Sequence, residues 1–180
     1  DDGGVTWNDP TSIPSGISSL TAVAADGYRS WVAVGQGATA VYTDSWADGP
    51  WHSGSGLSGN LFDVATNGAG TWVAVGATTD ASAGRVFYSS DTGATWTAAS
   101  IPQCEQLWNV ASNGGGTFVI AGGGASNTPV ILRSTDSGRT FAAAYRPLVS
   151  PSERLLDLRY DRYGTWIAVG ENRTILRSTD

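Results

Sequence analysis

Residues 61–76 read LFDVATNGAGTWVAVG. A leucine opens a short apolar run, Asn67-Gly68 breaks it, and an aromatic starts a second run, Trp72-Val73-Ala74-Val75. Asn-Gly between β-prone runs is a hairpin signal, because both residues tolerate the positive φ that a tight turn needs. The pattern recurs at residues 20–35 (LTAVAADGYRSWVAVG), 107–122 (LWNVASNGGGTFVIAG) and 155–170 (LLDLRYDRYGTWIAVG). The leading leucines are 41, 46 and 48 residues apart, while Trp31, Trp72, Phe118 and Trp166 keep one offset from them. Insertions therefore fall outside the hairpins.

Each hairpin leads into a third apolar run: TAVYT at 39–43, RVFYS at 85–89, VILRST at 130–135 and TILRST at 174–179. No segment spaces apolar residues at helical period for three turns, so helices are expected to be few. A repeat of 40-odd residues with four short strands is the signature of a β-propeller blade. The sequence predicts an all-β fold, a single four-bladed β-propeller over residues 1–180. Its blades fall near 16–53, 57–99, 103–144, and 151–180 together with 1–9.

The composition agrees. Glycine accounts for 24 of 180 residues, and hydrophobic residues for 41%. No apolar run approaches a membrane span. All ten cations are arginine, dispersed along a chain of net charge −6. Nucleic acid is excluded as a partner, since binding it requires a clustered cationic face to displace counterions. A chain without Met or Lys reads as a processed or excised piece with an extracellular life. Its single cysteine, Cys104, allows no intrachain disulfide and reads as an inert thiol.

After the third run come Ser89-Ser90-Asp91-Thr92-Gly93-Ala94-Thr95-Trp96 and Ser134-Thr135-Asp136-Ser137-Gly138-Arg139-Thr140-Phe141. The carboxylate can accept the turn's amides, the glycine can take positive φ, and the aromatic can enter the hydrophobic layer. This S-x-D-x-G-x-T-[WF] pattern resembles the Asp-box, or BNR repeat, of sialidase-like propellers. The first repeat carries a degenerate copy, residues 43–51. The fourth is split: the chain ends on Ser178-Thr179-Asp180 and begins with Asp2-Gly3-Gly4-Val5-Thr6-Trp7. The two termini thus hold complementary halves of one turn. Residues 5–8 are expected to form the fourth strand of the last blade and so close the ring. Exchange of that strand between molecules stays open.

The resemblance raises an enzymatic expectation that the residues do not sustain. Sialidases resemble this chain in their Asp-boxes, but their Arg-Ile-Pro signature has no counterpart here: Ser12-Ile13-Pro14 and Ser100-Ile101-Pro102 lack the arginine. Glu105, Glu153 and Glu171 fall in linkers, with no spacing that pairs two carboxylates across a cleft. His52 is the only histidine and has no nucleophile elbow to serve. One His and one Cys cannot build a zinc site. No catalytic residue, metal site or cofactor is assigned.

Three groups of residues remain as candidates. The third position of each inner strand holds Ala22, Asp63, Asn109 and Asp157. In a closed ring the polar three would converge on the axis, either to hold a small ligand or to cap neighbouring strands, and capping is the commoner use. Trp46, Trp51, Trp108 and Tyr145 have no repeat-core duty and are interface or sugar-stacking candidates. Asn172-Arg173-Thr174 is a glycosylation sequon, and residues 53–58 and 78–83 are loops suited to O-linked sugar. The leading expectation is a secreted, non-enzymatic, self-assembling subunit of an extracellular filament, its partner being itself. A carbohydrate-binding propeller with glycans as partners comes second, and a fragment of a sialidase-like hydrolase third.

Overall fold

The computed structural model describes residues 4–10, 12–123, 128–145 and 154–179. Its strands form four antiparallel sheets, each a meander in chain order. Sheet 1 comprises β1 (Leu20–Ala25), β2 (Trp31–Gly35), β3 (Ala40–Thr43) and β4 (His52–Ser53). Sheet 2 comprises β5 (Asn60–Thr66), β6 (Trp72–Ala77), β7 (Gly84–Ser89) and β8 (Thr97–Ala98). Sheet 3 comprises β9 (Leu107–Ser112), β10 (Phe118–Gly122), β11 (Val130–Ser134) and β12 (Ala142–Tyr145). Sheet 4 has three strands, β13 (Leu155–Tyr160), β14 (Trp166–Gly170) and β15 (Ile175–Ser178), with a 3-10 turn at Glu171–Arg173.

Local chemistry explains the meanders. Each inner hairpin turn is tied by a side-chain oxygen that accepts amides two or four residues on. Asp26 Oδ1 takes the N–H of Tyr28 and Ser30, Asn67 that of Ala69 and Thr71, and Asp161 that of Tyr163 and Thr165. This Asx geometry stands in for a backbone turn. Gly35 and Gly76, which end the second strands, are required by close approach. A Cβ there would lie 1.7 Å from the Ser19 carbonyl oxygen and 1.9 Å from that of Asn60.

The sheets stack through their faces. Val32, Val34 and Ala40 of sheet 1 are covered by Leu61, Val64, Trp72, Ala74 and Phe87 of sheet 2. One repeat on, Val73, Val75 and Val86 are covered by Leu107, Val110, Phe118, Ile120 and Leu132 of sheet 3. Val119 and Ala121 then meet Leu155, Leu158, Trp166 and Ala168 of sheet 4. Every sheet thus has a following face of small β-branched residues and a preceding face of Leu, Trp and Phe. Burial of these faces is the main stabilising term.

The expected closing strand is not found among the described residues. Among the described residues, sheet 1 packs on 2, 2 on 3 and 3 on 4, with no substantial contact between sheets 4 and 1. Residues 4–10 form no strand, and Val5 and Trp7 stand in solvent. A strand needs a partner edge, and the nearby chain is engaged elsewhere: the Trp51 N–H donates to the Ser12 carbonyl, and Pro10 and Ile13 lie against sheet 1. Asp2 and Asp180, parts of the split turn, lie outside the described residues.

Candidate functional site

The two complete S-x-D-x-G-x-T-[WF] segments adopt one hydrogen-bonded turn. Ser89 Oγ donates to Asp91 Oδ1 (2.8 Å) and accepts the Gly93 N–H (2.9 Å), and Asp91 accepts both the amide and the hydroxyl of Thr95 (2.9 and 2.6 Å). Ser134, Asp136, Gly138 and Thr140 repeat each bond within 0.1 Å. Gly93 and Gly138 take φ of +86° and +80°. Burial opposes the charge on Asp136, but donation by the Thr140 hydroxyl and amide and by Ser134 outweighs it and holds the carboxyl down at about 2. Asp91 is lowered by the same balance. The aromatic is the functional end of the turn. Trp96 and Phe141 are inserted between their own sheet and the one before, 4% and 6% exposed. The backbone beside each is clamped to the preceding sheet: Trp96 N–H donates to the Ser55 carbonyl, and Phe141 N–H to that of Ser100.

The inner-strand residues act as staples between sheets. Asp63 Oδ2 accepts the Val110 N–H (2.9 Å), and Asn109 Oδ1 accepts the Leu158 N–H (3.0 Å), each reaching from one inner strand to the next. Burial pushes the Asp63 carboxyl up, against the amides it accepts. Asp157 has no following sheet to staple; it accepts its own Leu158 N–H and pairs with Arg159 at 3.2 Å. Among the described residues no three His, Cys, Asp or Glu side chains are grouped to hold a metal ion, and no helix is long and apolar enough to cross a membrane.

The unassigned aromatics separate. Trp108 is half-buried: it stacks on Phe62 (4.8 Å), donates to the Gly123 carbonyl and lies under Arg154. Trp46 is exposed and pairs with Tyr28 at 5.9 Å. Trp51 lies beside Leu20, Val23 and Val41 at the outer face of sheet 1, and Tyr145 borders a cavity between sheets 3 and 4. Asn172 is exposed on the 3-10 turn at φ +52°.

The stack leaves two end faces without a covering sheet among the described residues; that of sheet 1 is partly covered by the chain's own Pro10, Ile13 and Trp51, and its Ala33 and Val41 are buried. The preceding face of sheet 1 exposes Leu20 (44%) and Val23 (57%); their counterparts Leu61, Leu107, Leu155 and Val64, Val110, Leu158 are all at most 4% exposed. The following face of sheet 4 exposes Val169 (38%) and Ile175 (69%), where Val34, Val75, Ala121 and Ala40, Val86 are at most 3% exposed. The two faces are halves of the junction found three times inside the molecule.

Comparison with known proteins fixes the fold at this level. No family model matches the sequence, and no curated protein aligns with it. Solved structures do match. The computationally designed Ika4 protein is similar at 12% identity and TM-score 0.64, over 96% of this chain and 99% of that one. YCF48 from Cyanidioschyzon merolae is similar at 14% identity and TM-score 0.61, over 88% of this chain and 50% of that one. The GH74 enzyme of Niastella koreensis is similar at 18% identity and TM-score 0.64, over 91% of this chain but 23% of that one. The fold is a β-propeller fold. Against YCF48 and the GH74 enzyme, the chain spans half or less of the protein it resembles. Enzymes and non-enzymes share this likeness, so the fold assigns no activity.

The two end faces were not singled out from the sequence. The signal was nonetheless present: four repeats each carry both halves of a junction, while four sheets in a row use only three junctions.

Proposed function

We propose that this chain is a non-enzymatic, extracellular assembly module that associates head to tail through its end faces. The observation that carries the reading is the exposure of Leu20 and Val23 on sheet 1 and of Val169 and Ile175 on sheet 4. The equivalents of Leu20, Val23 and Val169 are buried in each of the other three repeats, and those of Ile175 are buried in sheets 1 and 2 (Ala40, Val86) and partly buried in sheet 3 (Ile131). Contiguous apolar surface of this kind marks an interface, and its two halves differ from each other, so the contact is heterologous. Such a contact closes into a ring if the rotation permits and otherwise propagates as a filament. The expected closure of four sheets within one molecule competes for the same two faces.

Sedimentation velocity over a concentration series tests the proposal. The wild-type chain is expected to form species larger than one chain, and Ile175→Arg to remain monomeric with an unchanged melting temperature. A wild-type chain that stays monomeric at high concentration contradicts the proposal.

A second reading rests on the exposed Tyr28–Trp46 pair. Such a pair offers a face on which a sugar ring can stack. Binding on a glycan array that Trp46→Ala abolishes would support it.

A further inference from the structure

Between sheets 3 and 4 lies a cavity of about 300 Å³, lined among others by Val119, Ile131, Tyr145, Leu158, Trp166 and Leu176. Its position is equivalent to that of two aromatic side chains elsewhere. Trp96 packs on Val32 and Ala40 between sheets 1 and 2, and Phe141 packs on Val73 and Val86 between sheets 2 and 3. Val119 and Ile131 are the residues of sheet 3 at those two positions, Val119 after the conserved-offset aromatic and Ile131 three before Ser134. Sheet 4 has no complete Asp-box in its own strand order, and the cavity is where the aromatic of that box would stand.

The missing aromatic exists at the other end of the chain. Trp7 is 89% exposed, yet it makes the indole bond of the complete turn at Trp96: Trp7 Nε1 donates to the Gly4 carbonyl at 3.0 Å, as Trp96 Nε1 donates to Gly93 at 2.8 Å. Gly4 has φ +85°, matching +86° at Gly93. An indole held in an inserting conformation but left in water lacks its receptor. Ser55 and Ser100, which clamp the two complete boxes, lie four residues after Trp51 and Trp96. Tyr145 has the same offset from Phe141, but an irregularity in the pairing of β11 with β12 sets it opposite Ile131.

We infer that the cavity between sheets 3 and 4 is the acceptor for Trp7 of a second copy of this chain. The inference rests on the head-to-tail reading and supplies its specificity. The linker fits: an Asp-box aromatic precedes the next inner strand by 11 residues in Trp96–Leu107, by 14 in Phe141–Leu155 and by 13 in Trp7–Leu20. Trp7 therefore belongs to the sheet that precedes sheet 1. Among the described residues, no sheet of its own molecule makes substantial contact there, since sheets 4 and 1 are not packed together. A second copy whose sheet 1 covers Val169 and Ile175 brings its residues 4–7 to the cavity in the same step. Two separate acceptors on sheet 4, its open face and its empty slot, are then filled by one neighbour.

The test pairs the full-length chain with a labelled synthetic peptide, DDGGVTWND. The peptide is expected to bind the Trp7→Ala chain saturably and to dissociate wild-type assemblies, while its Trp→Ala version does neither. Trp7→Ala is expected to weaken association at least tenfold without lowering the melting temperature, and Trp7→Phe to restore it, as Phe141 serves sheet 3. Association of Trp7→Ala at wild-type concentrations would overturn the inference while leaving head-to-tail contact standing. Failure of the peptide to bind would overturn it too. Peptide binding to the Trp7→Ala chain, beside a wild-type chain that neither associates nor takes up the peptide, would place Trp7 in its own molecule and overturn the exchange together with the head-to-tail reading.

Discussion

The junction between sheets 2 and 3 and the junction between sheets 3 and 4 are built from equivalent positions, yet one is filled and the other holds a cavity. In the first, Phe141 closes the gap over Val73 and Val86. In the second, Val119, Ile131, Trp166 and Leu176 belong to one cluster that still borders a cavity of about 300 Å³. The difference lies in chain order rather than in composition. A repeat protein supplies each junction from two neighbouring repeats, and the terminal repeats are where that supply stops. What looks like a defect at one end is matched by a surplus at the other, where Trp7 makes the indole bond to Gly4 and is exposed.

The sharpest way to break the comparison is to empty a filled junction. Trp96→Ala should cost about 3–5 kcal/mol, the usual range for truncating a buried aromatic. Trp7→Ala should leave the stability of the monomer within about 0.5 kcal/mol, as for other exposed sites. Chemical denaturation of both variants at low concentration checks the contrast. The turn hub comes next. Ser134→Ala removes the acceptor of the Gly138 and Asp136 amides and should cost about 1–3 kcal/mol, since a buried amide loses its partner. Ser178→Ala, at the equivalent but exposed position on sheet 4, should cost far less.

Acid should loosen the filled junctions selectively. The folded Asp136 carboxyl is held down at about 2 and Asp91 is lowered as well. A depressed carboxyl contributes stability above its unfolded value near 4 and loses it as pH falls toward its folded value. Melting temperature should therefore decline between about pH 4 and pH 2, and Asp136→Asn should flatten that decline while lowering stability at neutral pH. The smallest effect is expected at the axis. Asp63 is raised by burial, so charge there opposes folding above its folded pKa. Asp63→Asn keeps the acceptor for Val110, imitates Asn109, and should raise the melting temperature at pH 7 by a few degrees, a gain that disappears in acid.

Much of this architecture was legible in the sequence because repetition exposes it. Equal offsets of Trp31, Trp72, Phe118 and Trp166 mark the paired strands, and Asp26, Asn67 and Asp161 mark the turns that join them. The S-x-D-x-G-x-T-[WF] spacing marks a serine and a carboxylate that bond to each other within one turn. Of the inner-strand residues, Asp63 and Asn109 turn out to staple adjacent strands. Closure was less legible. The Val5-Thr6-Trp7 run has strand propensity, but propensity does not create an edge to pair with. Nor does spacing report the angle between successive sheets, and that angle decides whether Leu20 meets Ile175 of its own molecule. Trp108 illustrates the same limit. Its lack of a repeat counterpart reads as surface, whereas contacts to Phe62, Gly123 and Arg154 from three different sheets bury much of it.

Head-to-tail contact between unlike faces is most directly tested by mixing two chains that are each blocked at one end. Val23→Arg spoils the face of sheet 1 and spares that of sheet 4, and Ile175→Arg does the reverse. Both residues are more than half exposed, so both variants should fold. Each alone should sediment as a monomer, and the mixture should give a species of two chains and nothing larger, because only one productive pair of faces survives. Continued self-association of either variant, or a mixture that stays monomeric, would contradict the account.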